Sequence, residues 1–253
     1  MQPVQLFDLS GRTALVTGAG HGIGRQFAAA LASAGADVVA TDISEAGLAV
    51  TAEEVGSDAL RTYVMDVTDE VGVPRVAADI GHVDILINNA AIYNIEKVDR
   101  GGYATLQAAA WKRMFDVNVV GTWLCCKAFV PGMQAAGYGK VVNMSSGTAL
   151  KGSPEMAHYA ASKAAVIGLT KSLAREVGRH GVTVNALAPG NTLSEDVISE
   201  EMRAAGEKTA TTRAIPRQQL PADVIGAMLF LCSPASDFMT GQTTVVDGGA
   251  YLH

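Results

Sequence analysis

Thr13-Ala-Leu-Val-Thr-Gly-Ala-Gly-His-Gly-Ile-Gly24 decides the fold of this chain. Residues 13–17 form an apolar, β-branched run that predicts a buried strand, and the residues around Gly24 open a predicted helix. Glycines at 18, 22 and 24 permit a tight turn between the two, where the backbone can approach a pyrophosphate. The helix amino terminus adds N–H groups and a partial positive charge. We therefore predict a dinucleotide site on this turn, formed by Gly18, His21, Gly22, Ile23 and Gly24.

The same alternation continues along the chain. Further apolar, β-branched runs predict strands at 37–41, 62–65, 83–87, 140–144, 182–186 and 243–246. Alanine-rich amphipathic segments predict helices at 23–34, 45–55, 69–79, 104–135, 158–178 and 221–232. Strands that alternate with helices form right-handed βαβ units and a parallel sheet. We predict an α/β, doubly wound Rossmann-type sheet of about seven strands with helices on both faces. It forms one dinucleotide-binding and catalytic domain over 1–253, with its ligand beyond the carboxyl ends of the strands.

The composition argues against several classes of protein. The formal net charge is −6, the pI is about 5.3 and no run of lysine or arginine is present. Binding to nucleic acid or to an anionic membrane is therefore not expected. No uninterrupted apolar stretch approaches the roughly 20 residues needed to span a bilayer, and residues 1–10 do not resemble a secretory signal. We expect a cytoplasmic protein.

The cysteines and histidines indicate no metal site. Cys125, Cys126 and Cys232 are too few, and wrongly spaced, for a disulfide framework or a zinc site. They are expected to be buried, reduced and small hydrophobic residues. The five histidines show no ligand spacing. No metal is predicted.

Polar and small residues follow the predicted strands where a ligand should bind. Asp42 ends the second strand, and a carboxylate there can accept hydrogen bonds from ribose hydroxyls while repelling a 2′-phosphate. This favours NAD over NADP, with a helix N-cap as the alternative role for the aspartate. Asp66 and Val67 follow the third strand, and Asn89 and Ala90 follow the fourth. We predict that all four lie within reach of the same dinucleotide.

Tyr159 and Lys163 predict acid–base chemistry. A phenol has an ordinary pKa of about 10 and is a poor base at neutral pH. A lysine four residues later lies on the same helical face and would stabilise the phenolate. Ser146, just after the strand predicted at 140–144, could hydrogen-bond the oxygen whose proton the tyrosine handles. Taken alone, Tyr-x3-Lys could equally be an ordinary exposed helix pair.

From about Gly11 to Gly249 the chain resembles the short-chain dehydrogenase/reductase family in its shorter form. The resemblance rests on motifs that occur in the family's order and at similar spacing. These are Thr17-Gly-x3-Gly-x-Gly24, Asn88-Asn-Ala90, Asn118, Ser146 with Tyr159 and Lys163, Pro189-Gly190 and Val246-Asp-Gly-Gly249. Ala91 stands where the family usually has glycine, which should disturb little if its φ is negative.

The resemblance implies catalytic roles for several of these positions. Tyr159 would be the acid/base, and Ser146 would orient and polarise the substrate oxygen. The family's serine–tyrosine spacing selects Ser146 rather than Ser145. Lys163 would lower the pKa of Tyr159, and Asn118 would position a water in a proton relay with Lys163.

The resemblance also completes the predicted cofactor site. Tyr159 and Lys163 would contact the nicotinamide ribose, with Lys163 holding it. Pro189 would line the site, and Thr192 would meet the nicotinamide carboxamide. The predicted cofactor is NAD.

Together these features predict an oxidoreductase that transfers a hydride between NAD(H) and a secondary alcohol or ketone. The polar segment 191–216 lacks a clear strand and predicts a substrate lid. The candidate substrate pocket is mostly apolar, which suits an aromatic or alicyclic small molecule better than a phosphorylated sugar. Its residues are Tyr93, Thr148, Leu150, Met156 and Leu193.

Other functions remain open at this stage. An NADPH-dependent 3-oxoacyl carrier-protein reductase shares the catalytic residues, although Asp42 disfavours NADPH. A sugar-nucleotide epimerase would have a differently spaced glycine turn. A catalytically idle NAD-binding scaffold or sensor would have no physical need of all four residues Asn118, Ser146, Tyr159 and Lys163. The family further implies a homotetramer, or a homodimer, formed through the helices near 104–135 and 158–178.

Overall fold

The computed structural model describes residues 6–93, 102–194 and 199–252. Its strands form one sheet in the order β3-β2-β1-β4-β5-β6-β7, and every pairing is parallel. The predicted doubly wound Rossmann-type fold is confirmed. The strands are β1 (Thr13–Thr17), β2 (Asp37–Asp42), β3 (Leu60–Val64), β4 (Ile85–Asn88), β5 (Gly139–Met144), β6 (Val182–Pro189) and β7 (Thr243–Val246).

The helices connect these strands and cover both faces of the sheet. They are α1 (Gly22–Ser33), α2 (Glu45–Val55), α3 (Gly72–Ile80), α4 (Ala108–Phe115), α5 (Thr122–Ala136), α6 (Thr148–Lys151), α7 (Ala157–Val177), α8 (Glu200–Ala210) and α9 (Ala222–Cys232). The prediction of one continuous helix over 104–135 is wrong. A π-helical turn at Asp116–Gly121 separates α4 from α5, and the helical structure begins only at Ala108.

Alternate residues of the central strands pack into two separate cores, as expected for a sheet covered on both faces. Ala14, Val16 and Ile85 belong to one core, which also contains residues of α1 and α9. Leu15 and Leu86 point the other way, into a core shared with α3, α5 and α7. This packing explains why these strands are continuous apolar runs rather than alternating ones.

The strand order reverses beside β1, which pairs with β2 on one side and β4 on the other. In a sheet of this kind a crevice opens beyond the carboxyl ends of the strands at that point. The glycine turn, residues 17–24, lies there. Within the described ranges, no helix is long and apolar enough to cross a membrane.

Candidate active site

The glycine turn has the backbone geometry of a phosphate cradle. Gly18 and Gly22 have φ values of +64° and +53°, a left-handed conformation that favours glycine. A Cβ atom on Gly24 would overlap the carbonyl oxygen of Gly18 and would lie 2.5 Å from Nδ2 of Asn89. His21 precedes α1 with an extended backbone and makes no side-chain capping hydrogen bond. The first turn of α1 is therefore open to an anion at its amino terminus.

Thr17 and Asn89 fix the glycine turn against the end of β4. Oγ1 of Thr17 accepts hydrogen bonds from the N–H groups of Asn89 (3.1 Å) and Ala90 (3.0 Å). Nδ2 of Asn89 donates to the carbonyl oxygens of Thr17 (3.1 Å) and Gly18 (2.9 Å). Asn89 thus lies at the predicted site with its amide committed to the turn itself. The sequence interpretation gave the Thr17 hydroxyl no role, although a hydroxyl ending an apolar strand could have signalled one.

Asp42 lies at the end of β2, with only 7% of the residue exposed. Its Oδ2 accepts a hydrogen bond from the N–H of Gly20, and its Oδ1 accepts one from the N–H of Ser44, both at 2.9 Å. The N-cap of α2 is Ser44, whose Oγ accepts from the N–H of Gly47. The N-cap interpretation of Asp42 is therefore wrong, and its carboxylate is oriented at the glycine turn. Nδ1 of His21 lies 4.0 Å from Oδ2 of Asp42.

Of the two predicted cofactor-binding residues after β3, Asp66 is exposed and Val67 is buried. The exposed Asp66 accepts hydrogen bonds from the N–H and the hydroxyl of Thr68, both at 2.8 Å. Val67 is buried, and a Cβ on Gly121 would lie 2.7 Å from its Cγ2. Val67 therefore packs against the π-helical turn. A contact between either residue and a dinucleotide stays a prediction.

Ser146, Tyr159 and Lys163 come together at the carboxyl end of β5. The side chain of Ser146 lies beside the hydroxyl of Tyr159, in the first turn of α7, near enough to lower the pKa of that phenol. Nζ of Lys163 donates to the carbonyl oxygen of Met144 at 2.8 Å and lies 5.9 Å from the centre of the Tyr159 ring. Oγ of Ser145 donates to the carbonyl oxygen of Lys163 instead. Of the two serines, the one at the tyrosine is therefore Ser146.

Burial dominates the electrostatics of this cluster. Burial raises the pKa of Tyr159, and Ser146 beside its hydroxyl acts in the opposite direction. Burial also lowers the pKa of Lys163 to about 8. From the sequence we expect Lys163 to lower the pKa of Tyr159. In the structure burial raises that pKa instead. The ammonium lies against the Met144 carbonyl, and its own charge is disfavoured by the same low-polarity surroundings.

The buried Lys163 predicts a pH-dependent stability difference. Its pKa falls from 10.5 to about 8 on folding, so between these values the unfolded chain binds more protons. Wild-type stability should thus rise with pH through this window. At pH 7 we expect Lys163→Met to be more stable than wild type by about 1–2 kcal/mol, after allowance for the lost hydrogen bond to Met144.

Urea unfolding at pH 7, 9 and 10.5 measures this difference. The advantage of the methionine variant should shrink as the pH rises, because the lysine becomes neutral in both states. A variant that is less stable at pH 7, or a difference that does not change with pH, contradicts the prediction.

Asn118 lies in the π-helical turn and is completely buried. Its Oδ1 accepts from the N–H of Ile92 at 2.9 Å, and its Nδ2 donates to Oγ of Ser162 at 3.0 Å. Oγ of Ser162 in turn donates to the carbonyl oxygen of Tyr159 at 2.8 Å. The amide therefore connects the loop after β4 to the turn of α7 that carries the tyrosine. The proton relay through Asn118 stays a prediction.

A second buried polar chain lies beneath the site, and sequence reasoning assigned it no role. Nδ2 of Asn88 donates to Oδ1 of Asn143, and Nδ2 of Asn143 donates to Oγ1 of Thr170 (2.8 and 2.9 Å). The chain joins β4, β5 and α7, which all carry residues of the site. An asparagine inside the apolar run of β5 was the available signal, because buried amides need partners.

Two of the predicted pocket residues pack directly beside Tyr159. The rings of Tyr93 and Tyr159 are 5.1 Å apart and inclined by 45°. Met156 belongs to the same apolar cluster, together with Met114 and the partly buried Ile92. This side of the site is therefore apolar and aromatic.

The other predicted pocket residues lie on α6 and after β6. The N–H of Thr148 donates to Oγ of Ser146 at 3.2 Å, which places the start of α6 at the site. Leu150, in α6, and Leu193 are partly buried. The N–H of Leu193 donates to the carbonyl oxygen of Gln219. A role in substrate binding stays a prediction for all five pocket residues, Tyr93 and Met156 included.

The segment predicted as a lid begins beside the glycine turn. Pro189 ends β6, and its carbonyl oxygen accepts from the N–H of Gly147 at 2.8 Å. Oγ1 of Thr192 donates to the carbonyl oxygen of Gly190 at 3.2 Å. A Cβ on Gly22 would lie 3.1 Å from the carbonyl oxygen of Ser194.

The structure adds helix α8 to this segment, which the sequence left without a regular element. Residues 195–198 of it lie outside the described residues. Closure of 191–216 over a substrate stays a prediction.

The described residues fit a dinucleotide. The turn has left-handed glycines, an uncapped helix amino terminus and a carboxylate held at the end of the adjacent strand. Position 91 does not require glycine either, because the φ of Ala91 is not positive. In the described part of the chain, Glu155 is the one non-glycine residue with positive φ.

Comparison with known proteins agrees with this geometry. A family model described as enoyl-(acyl carrier protein) reductase matches residues 18–251. The 2-keto-3-deoxy-L-fuconate dehydrogenase of Xanthomonas campestris is 39% identical over 95% of this chain and 80% of its own. A 3-oxoacyl-[acyl-carrier-protein] reductase of Vibrio cholerae is 36% identical over 97% of this chain and 99% of its own. A crystal structure of gluconate 5-dehydrogenase from Burkholderia cenocepacia, in complex with NADP and tartrate, has a TM-score of 0.88 at 33% identity and 98% coverage of both chains.

These relatives are oxidoreductases, and the family model spans strands β2 to β7 and the glycine turn from Gly18 onward. The match therefore includes both the dinucleotide cradle and the Ser146–Tyr159–Lys163 cluster. The chain belongs to the short-chain dehydrogenase/reductase family of nicotinamide-dependent oxidoreductases.

Proposed function

We propose that this protein is an NAD-dependent oxidoreductase that interconverts a secondary alcohol and a ketone. The observation that carries the proposal is the cluster in which Ser146 lies at the buried Tyr159 hydroxyl and acts to lower its pKa, with Lys163 beside the ring. This is a proton donor and acceptor placed at the crevice where the fold binds its dinucleotide.

The residues of the site divide the chemistry between them. When bound, NAD supplies the hydride acceptor for alcohol oxidation. Tyr159 takes the proton of the substrate hydroxyl in oxidation and returns it to the carbonyl oxygen in reduction. Ser146, which lies beside the Tyr159 hydroxyl, would hydrogen-bond that same substrate oxygen. Lys163 is placed to favour the phenolate when its own amine is protonated.

Asp42 supports the choice of NAD. Each of its carboxylate oxygens accepts a backbone N–H, so the negative charge is fixed at the end of β2. A 2′-phosphate at this position would meet a like charge, whereas ribose hydroxyls could donate to the remaining lone pairs. The Burkholderia relative was solved with NADP, so the family alone does not determine the coenzyme.

The aromatic and thioether side chains around Tyr159 support an apolar substrate. Tyr93, Met114 and Met156 contribute no charge to this wall of the site. We propose an aromatic or alicyclic secondary alcohol. Several relatives are named for sugar-derived substrates, such as the sorbitol dehydrogenase of Cereibacter sphaeroides, and such compounds belong in the same test.

Initial rates with wild-type protein test the proposal. NAD and NADP are compared against aromatic and alicyclic secondary alcohols, sugar alcohols, gluconate and a 3-oxoacyl thioester, by the absorbance of the reduced nicotinamide. We expect kcat/KM with NAD to exceed that with NADP by at least about tenfold, since a like-charge contact costs more than the corresponding 1.4 kcal/mol. NADPH-dependent reduction of the thioester as the fastest reaction would instead identify a carrier-protein reductase, the alternative that the Vibrio relative favours.

Assembly and location are also proposals. We propose a homotetramer or homodimer formed through α5 and α7. A groove of about 610 Å³ between these helices supports this. Its lining combines apolar side chains, among them Trp123 and Leu173, with the charged side chains of Lys127, Arg175, Glu176 and Arg179. Trp123 is 44% exposed there, and an exposed large aromatic side chain is typical of an interface. A cytoplasmic location stays a prediction.

A further inference from the structure

Ala19 and Gly20, two consecutive residues of the glycine turn, form hydrogen bonds through both their N–H groups and their carbonyl oxygens. The N–H of Ala19 donates to the carbonyl oxygen of Thr41 at 3.0 Å, and the N–H of Gly20 donates to Oδ2 of Asp42 at 2.9 Å. The end of β2 thus holds the N–H side of the turn. It does so partly through the carboxylate that we place at the adenosine ribose.

Arg25 and Thr51 hold the carbonyl side. Nη2 of Arg25 donates to the carbonyl oxygen of Gly20 at 2.6 Å, and Oγ1 of Thr51 donates to the carbonyl oxygen of Ala19 at 2.8 Å. Nε of Arg25 also donates to Oγ1 of Thr51 at 3.2 Å, so the two side chains form one unit. Neither residue belongs to the motifs that identified the site.

Arg25 is buried, which is unusual for an arginine. It is 6% exposed, and its charge is balanced by Glu54, 3.1 Å from Nη1. Burying a guanidinium is costly, and an apolar side chain could join α1 to α2 with less desolvation. An apolar side chain could not, however, donate to a carbonyl oxygen and a hydroxyl at once. The arrangement therefore matches a requirement to fix the turn.

Asp42 depends on that fixation. Its Oδ1 is tied to Ser44, whereas its Oδ2 is tied to Gly20, whose own position depends on the bond from Arg25. If Gly20 were released, the carboxylate could rotate away from its present direction. The negative charge that faces the ribose would then be less well defined.

We propose that Arg25, together with Thr51, is a positioning residue for the adenosine half of the dinucleotide. Arg25 fixes Gly20 and through it the carboxylate of Asp42, and so helps to discriminate a free 2′-hydroxyl from a 2′-phosphate. This inference rests on the proposed function, because it assumes that the coenzyme ribose binds at Asp42.

Binding titrations followed by the fluorescence of NADH and NADPH test the proposal without turnover. For Arg25→Met we expect about tenfold weaker binding of NADH, from the loss of a hydrogen bond made by a charged group. NADPH binding should change by less than about threefold, because a mobile carboxylate also repels the 2′-phosphate less. Arg25→Lys keeps the charge without the planar fork and should lie between. Thr51→Val should show a smaller loss in the same direction.

Lys140→Met is the matched control. Lys140 is a buried cation at the opposite end of the sheet, where Nζ pairs with Asp237 at 2.7 Å. Its removal should lower stability and leave the affinity for both dinucleotides unchanged. At saturating NAD, Arg25→Met should keep kcat within about threefold of wild type, since no group at the reacting carbon is altered.

The outcomes separate the two proposals. Unchanged NADH affinity in Arg25→Met overturns the positioning role, as does an equal loss of affinity in Lys140→Met. Tighter binding of NADPH than NADH by the wild type overturns the proposed coenzyme instead. In that case a loss of affinity for NADPH in Arg25→Met would still support the fixation of the turn, and its absence would overturn it.

Discussion

Tyr159→Phe should lower the rate of alcohol oxidation by at least about 100-fold, the range expected when a general acid/base is lost. The substitution removes one oxygen, which lies beside Ser146, and retains the ring that packs against Tyr93. Stability and NADH affinity should stay close to those of wild type. Initial rates, thermal unfolding and NADH fluorescence measure the three quantities separately.

The pH dependence of the wild type sharpens this prediction. Oxidation requires the deprotonated phenol, and burial raises the pKa of Tyr159 above its ordinary value. The rate of oxidation should therefore rise with pH across the alkaline range, whereas ketone reduction, which uses the protonated phenol, should not. The residual rate of Tyr159→Phe should lack that rise.

Tyr138→Phe provides the control for loss of a phenol elsewhere. Tyr138 directly precedes β5 at the end of the sheet away from the site, where the guanidinium of Arg12 lies 3.8 Å from its ring centre. This variant should retain wild-type rates. Near-normal turnover in Tyr159→Phe would show that another group moves the proton and would end the proposed mechanism.

Gly24→Ala should cause the second large loss, in this case of dinucleotide binding. The added methyl group would overlap the carbonyl oxygen of Gly18 and would lie 2.5 Å from Nδ2 of Asn89. Both belong to the framework that shapes the glycine turn, so backbone must move. We expect NADH affinity to fall by about 100-fold, which corresponds to the loss of one or two backbone hydrogen bonds to the charged pyrophosphate. Unfolding free energy should fall by about 1–3 kcal/mol, as for other overpacked sites.

Gly226→Ala is the matched substitution at a glycine with open space. Gly226 lies inside α9, and a Cβ there meets nothing within 4 Å. Alanine should be neutral or stabilising by up to about 1 kcal/mol, because it restricts the unfolded chain and favours helix. NADH fluorescence and urea unfolding distinguish the pair. Wild-type NADH affinity in Gly24→Ala would show that the close packing of the turn does not shape the dinucleotide site.

The sequence predicted the elements whose causes are local. Strands β1, β2 and β4 are short β-branched or apolar runs, and alternation with amphipathic helices leaves a parallel sheet as the natural arrangement. The glycine turn was predictable because its backbone adopts left-handed conformations that favour glycine over other residues. The continuous helix over 104–135 was the main error, since the hydrophobic pattern does not register the extra residue that opens a π-helical turn around Asn118.

The chemistry of the site could be predicted by residue type, and its organisation could not. The motifs singled out Ser146, Tyr159 and Lys163, and the family's serine–tyrosine spacing selected Ser146 over Ser145. What each side chain contacts needed the structure, such as the hydrogen bond from Oγ of Ser145 to the carbonyl oxygen of Lys163. The same holds for Asn118, whose amide is used to join a loop to α7. Hydrogen-bond partners are set by the packing of distant segments, which local spacing does not encode.

By itself, the sequence determined that this chain folds as a doubly wound α/β sheet with a glycine turn and a tyrosine–lysine pair. Those features follow from short-range periodicity and from the special conformations of glycine. Only the tertiary structure decided that burial raises the pKa of Tyr159 and lowers that of Lys163. It also decided that Arg25 donates a hydrogen bond to the carbonyl oxygen of Gly20 in the glycine turn. Both depend on how much water and which partners surround a group, and these are fixed only when remote parts of the chain pack together.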